Sequence, residues 1–158
     1  MIDGHNLIPK IPGLRLDAPD DEQQLVSLLQ EFCRLSRKQV DVYFDNAAPG
    51  GAGQRSLVTV AVHFVRAGQT ADEAIRKRLS KMGRSARNWT VVSSDHSVQA
   101  SAHRSGAQAM TAEEFAAVLV STLSGSKLKE ARDIPLSAGE VEEWLKLFHS
   151  KHPDEPGL

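Results

Sequence analysis

Four aspartates carry the first chemical signal in this 158-residue chain. Asp3 closes the short start "MID", Asp45 closes "VDVYFD", Asp95 closes "WTVVSSD", and Asp72 stands inside "TADEAIRKRL". Carboxylates gathered without a counter-charge repel one another, and some must take up protons. A hard divalent ion such as Mg²⁺ or Mn²⁺ removes that conflict, because it binds a few carboxylates together with water and phosphate oxygens. Each aspartate also has a plainer use. Strand-end Asp residues cap following helices, and Asp in a first helical turn complements the helix dipole. "TADE", "TAEE" and "SAGE" are capping boxes, which makes Glu73 a cap in preference to a ligand. Spacing alone leaves both readings of the four aspartates open.

The elements that must position them alternate in type. The residues predict a strand over Met1–Asp3 and a helix from about Asp21 to Lys38, with Leu25, Leu28, Leu29, Phe32 and Leu35 at helical spacing. A strand over Val40–Asp45, a flexible loop, and a strand over Leu57–Val65 that is apolar on both faces follow. A helix from Ala71, a strand over Trp89–Asp95, a short helix to about Arg104, a strand over Ala107–Met110 and a helix through "TAEEFAAVLVSTL" complete the series. This βαβα order predicts an α/β fold with a central, mainly parallel, five-stranded sheet and helices on both faces. The strands of such a sheet end on one common edge, where ligands bind, and there Asp3, Asp45, Asp72 and Asp95 would meet. One domain over residues 1–123 is expected. A linker and C-terminal helix, "SAGEVEEWLKLFHS", would pack on it over 124–150, with a tail at 151–158.

Composition narrows the function classes. The single cysteine, Cys33, excludes an internal disulfide and a cysteine zinc cluster, and suits a reducing cytoplasm. Its place in the apolar stripe of a helix makes it a core residue. No apolar run approaches the ~20 residues of a membrane span, and the start lacks a signal-peptide layout. A cytoplasmic location without a membrane partner is therefore expected; the oligomeric state is not written in the residues. Net charge is −1, yet Ala74–Arg104 is strongly basic. Arg76, Lys77, Lys81 and Arg84 there form either a solvated helix face or a path for RNA phosphates. The loop "PGGAGQRS" fails as a phosphate-binding P-loop because Gln54 stands where a lysine is required. Its Arg55 could contact substrate, or the loop could simply connect strands. His5 and His96 flank two of the aspartates without the paired spacing of a zinc site. Ser93 and Ser94 lack the glycine-flanked elbow of a serine hydrolase.

"IDGHNLI", "VYFD", "TADEAI" and "VVSSD", in that order, resemble the NYN domain, and more narrowly its YacP-like branch, over roughly residues 1–123. The resemblance implies a PIN-like, Rossmann-like three-layer sandwich. It also implies a metal-dependent endoribonuclease that uses Mg²⁺ or Mn²⁺ on RNA, in RNA processing or mRNA turnover, with the ribosome as a further partner. Carried onto this chain, it makes Asp3, Asp72 and Asp95 metal-facing catalytic residues and Asp45 a fourth ligand. Asn6 and Ser94 would orient water or phosphate. Two departures stand out: Ser97 replaces a further acid that many NYN domains carry, and the first strand is very short. Ser97 and the nearly neutral overall charge favour the alternative, an NYN-like module that holds RNA or a protein without cutting.

Overall fold

Apolar runs build the sheet, and their order decides where its edge lies. The structure is a computed structural model and describes residues 1–45 and 51–133, the last three without their side chains. The strands are β1 (Ile2–Asp3), β2 (Val40–Phe44), β3 (Gly53–Leu57), β4 (Val60–Phe64), β5 (Thr90–Val92) and β6 (Gln108–Met110). The helices are α1 (Gly4–Leu7), α2 (Asp21–Ser36), α3 (Ala71–Met82), α4 (His96–Arg104) and α5 (Ala112–Asp133). They form one six-stranded sheet in the order β3-β4-β2-β1-β5-β6. Every neighbour pair is parallel except β3 with β4.

Although β1 has only two residues, it lies at the centre. Ile2 pairs with Val42 on one side and Val92 on the other, and Asp3 pairs with Tyr43. From β1 the chain winds outward through β2 and β4, then returns to build β5 and β6 on the opposite side. That reversal creates a crevice beyond the C-terminal end of β1, the usual ligand site of a doubly wound sheet. Asp3 stands at its mouth.

Alternation along the central strands divides the core in two. Val40, Val42 and Phe44 face α2 and α5, where Leu25, Leu29, Phe32, Phe115 and Leu119 pack. Tyr43 and Val91 face α3 and α4, among Ile75, Leu79, Val98 and Ala102. The result is the expected three-layer arrangement. Cys33 is buried in the first cluster, as its position predicts.

The sheet has one strand more than expected. The apolar run Leu57–Val65 is broken at Val58–Thr59, a two-residue turn that folds β3 back on β4, with Leu57 opposite Val60. The first part of β3 comes from the predicted loop, and all five of its residues are exposed. At the other end, α5 continues through Gly125 to Asp133, where a linker was expected. The predicted helix "SAGEVEEWLKLFHS" and the tail lie outside the described residues. Residues Met1–Leu123 form one compact unit, and a second begins at Ser124. Among the described residues, no helix is long and apolar enough to cross a membrane.

Candidate active site

Asp3 closes β1 and is also the N-cap of α1, its side chain accepting the Asn6 N–H at 3.2 Å. The tight turn from strand to helix needs the next residue to be glycine. A Cβ on Gly4 would lie 2.2 Å from Cε1 of Phe44, a ring wholly buried in the core. The "Asp-Gly" pair is thus a steric requirement for aiming Asp3 at the sheet edge.

Asp72 reaches the same place from α3. Thr70 caps that helix in a reciprocal box: its hydroxyl accepts the Glu73 N–H at 3.2 Å, and the Glu73 carboxylate accepts the Thr70 N–H at 3.1 Å. Glu73 is therefore the cap its spacing predicts, and the box fixes Asp72 one residue before it. The carboxyls of Asp3 and Asp72 lie within range of each other, and only a protonated partner could donate a hydrogen bond between them. Burial is the largest influence on Asp3 and pushes it up to about 6, with Asp72 and Asp45 adding to the rise. Burial also raises Asp72, and the charges of Asp95 and Asp45 act in the same direction. Asp72 Oδ1 is buried with no N–H or hydroxyl to accept from. A proton shared with Asp3, or a cation, must satisfy it.

The other two aspartates flank this pair but are held elsewhere. Asp95 N-caps α4, its Oδ1 accepting the N–H groups of Ser97 at 2.7 Å and Val98 at 3.2 Å. Hydrogen bonds from Ser97 and Val98 keep its carboxyl below the usual range. Asp45 lies 2.5 Å from Nδ1 of His5, whose Nε2 lies 2.9 Å from Glu22. Burial works against the imidazolium, but these two carboxylates outweigh it and raise the His5 pKa.

The remaining residues divide into braces and surface groups. Asn6 Oδ1 accepts the Ser94 N–H at 3.1 Å, which ties α1 to the loop after β5. Ser94 Oγ donates to Glu113 at 2.7 Å and accepts the Ala112 N–H at 3.2 Å. Glu113 in turn pairs with Lys10 at 2.8 Å. Arg76 turns inward from α3 and donates to Ser97 Oγ, and its charge acts on both Asp72 and Asp95. Lys77, Lys81 and Arg84 stay exposed. Arg55 sits on edge strand β3, its guanidinium 5.6 Å from the Phe64 ring centre. Sequence reasoning did not single out Glu22, Glu113 or the inward turn of Arg76. Glu113 and Glu22 stand in helix first turns, where acids are explained by the dipole alone, so no local signal marks their tertiary partners.

Among the described residues, no three His, Cys, Asp or Glu side chains are grouped as a ready-made metal cage. The donor set does fit an ion of another kind. Mg²⁺ is commonly held by one or two carboxylates and completes its shell with water and substrate phosphate. Asp3 and Asp72, paired and short of one positive charge, supply such a site.

The YacP-like NYN domain profile matches residues 1–148. A crystal structure of Rae1 (YacP) from Bacillus subtilis superposes with a TM-score of 0.64 and is 26% identical, covering 94% of this chain and 90% of that one. Its W164L mutant superposes with a TM-score of 0.68 at 24% identity, over 92% of this chain and 88% of that one. The likeness to these structures extends to the PIN-like fold. No curated protein matches the chain.

Proposed function

The chain belongs to the YacP-like NYN domain family, a PIN-like nuclease family, and from that premise we propose that it is a divalent-metal-dependent endoribonuclease. The observation that carries the reading is the Asp3–Asp72 pair at the sheet's switch point: two half-buried carboxyls forced together, each with a raised pKa. Such an arrangement is costly as a purely structural feature, since burial and like charge both oppose ionisation. It makes sense as a site held ready for Mg²⁺ or Mn²⁺. When bound, the ion would lower the pKa of an attacking water and offset charge developing on the scissile phosphate.

This chain's own residues do the rest. Asp3 and Asp72 hold the ion, with Asp95 and Asp45 as outer acids that orient water around it. Asn6 and Ser94 fix the loop carrying Asp95 relative to α1, which sets the width of the crevice. Arg76 neutralises part of the acidic field and keeps a phosphate from being repelled. Lys81, Arg84 and Arg55 offer exposed positive charge to the RNA backbone beyond the site. The substrate is RNA, in processing or mRNA turnover, with the ribosome as a candidate setting in a cytoplasmic location.

A second reading is supported by Ser97, which stands where a further acid would be and binds Arg76 in its place. On that reading the domain holds RNA or a protein without cutting. One assay separates the two. Purified protein is incubated with labelled structured and unstructured RNA, in Mn²⁺ or in EDTA, alongside Asp3→Asn and Asp95→Asn. Cleavage in Mn²⁺ is expected from the native chain and not in EDTA. It should fall by at least about a hundredfold in Asp3→Asn, and by less in Asp95→Asn, whose asparagine still caps α4. Tight binding with no cleavage in any metal would favour the second reading.

A further inference from the structure

One cation stands at the acidic crevice, and no ion pair holds it there. Arg76 follows Asp72 by one turn of α3, so the two side chains leave the helix on one face. Its guanidinium crosses to the first turn of α4 and donates to Ser97 Oγ, which lies at the exposed surface. Ser97 is neutral and accepts only one of the N–H groups that a guanidinium carries. Among the described residues, no carboxylate lies within ion-pair distance of Arg76. Its charge nevertheless reaches Asp72 and Asp95 and favours their ionised forms.

Charge decides what such a crevice can hold. Asp3, Asp72 and Asp95, when ionised, bring three negative charges, and Arg76 brings one positive. Asp45 is engaged by His5 at 2.5 Å. The two negative charges that remain match one divalent ion. A second ion would leave the crevice with excess positive charge and would face the repulsion of Arg76. A guanidinium can also do part of a second ion's work. It offers N–H donors in a fork that fits phosphate oxygens, and it offsets charge developing on them. Unlike an ion it is fixed to the chain, by α3 at one end and by Ser97 at the other.

We propose that the crevice takes a single divalent ion on Asp3 and Asp72, and that Arg76 fills the place of a second ion by binding an RNA phosphate beside the first. This role for Arg76 rests on the nuclease reading only in taking a divalent ion and an RNA phosphate as the ligands. It has a consequence of sign. The ion is drawn by carboxylates that Arg76 partly cancels, whereas the phosphate is held by a guanidinium against the repulsion of those same carboxylates. Removing the charge of Arg76 must therefore strengthen one ligand and weaken the other.

The test uses the full chain and three separate readings: calorimetric titration with Mn²⁺ alone, anisotropy of a short labelled single-stranded RNA in EDTA, and cleavage of that RNA in Mn²⁺. The native chain should saturate at one Mn²⁺ per molecule. Arg76→Gln should bind Mn²⁺ about 3- to 10-fold more tightly. The same variant should bind RNA about 3- to 10-fold more weakly, with a salt slope lower by about 0.7. Damage to the fold would weaken both ligands, so the opposite signs separate a phosphate-binding residue from a merely structural one. Arg76→Lys, which keeps the charge but not the fork, should return Mn²⁺ affinity to the native value and recover part of the RNA binding. Two Mn²⁺ ions on the native chain, or Arg76→Gln with native RNA binding or with both ligands weakened, would overturn the role of Arg76. If the native chain cleaves and Arg76→Gln binds both ligands as the native chain does, that role fails and the nuclease reading stands. If the native chain never cleaves, yet one ion binds and Arg76→Gln splits the two affinities as described, the role stands and the nuclease reading fails.

Discussion

Asp3 is the residue whose environment most departs from the ordinary. Its carboxyl rises from 3.8 to about 6, through burial first and Asp72 second among the groups that raise it. Between these two values the folded state binds more protons than the unfolded chain, so stability falls as pH rises through that window. The cost is complete above about 6 and is relieved as acid is added towards pH 4. Its size is at most roughly 3 kcal/mol. Asn caps a helix as well as Asp does and carries no charge. Metal-free Asp3→Asn is therefore expected to be about 1–3 kcal/mol more stable than the native chain at pH 7.5. Acidifying from pH 7 to 5 should stabilise the native chain more than the variant. Thermal melts across pH check this; parallel profiles for the two proteins would remove the strained pair.

At the scale of elements, β1 and the β3–β4 hairpin show what local sequence does and does not reveal. The strand-end aspartates and the "TADE" cap are readable because capping and strand termination are local events. Gly4 has a tertiary reason, the Phe44 ring, which no window of neighbouring residues contains. Gly4→Ala is expected to cost about 1–3 kcal/mol through overpacking and to abolish cleavage by moving Asp3; a melting curve and the Mn²⁺ assay report the two effects. The hairpin was hidden for a different reason. Two-residue turns usually announce themselves with Asn-Gly or Asp-Gly, whereas Val58-Thr59 continues an apolar run. Val58 pays with a left-handed φ of 33° and complete exposure. Val58→Asn, which tolerates that backbone, should raise stability by about 0.5–1 kcal/mol in denaturant unfolding. A loss of stability would mean that Val58 makes a contact not seen here.

At the scale of the whole chain, the α/β class and the meeting of strand ends on one edge follow from the βαβ order. The strand order does not follow from it. That β1 is central, and hence that Asp3 stands at the switch point, depends on which strands pair across long stretches of sequence. The same long-range pairing brings α1 next to the loop after β5 through Asn6 and Ser94, and sets His5 between Asp45 and Glu22. Basic residues between Ala74 and Arg104 read alike in one dimension, but the fold turns Arg76 into the acidic crevice and keeps Lys77, Lys81 and Arg84 in solvent. The most direct measurement is calorimetric titration of Mn²⁺ into the metal-free chain at pH 7.5, with Asp3→Asn and Asp72→Asn in parallel. Saturable binding by the native chain, weakened at least about tenfold in each variant, is the expected result. Equal binding by all three proteins, or none by the native chain even with RNA present, would contradict a cation site built on Asp3 and Asp72.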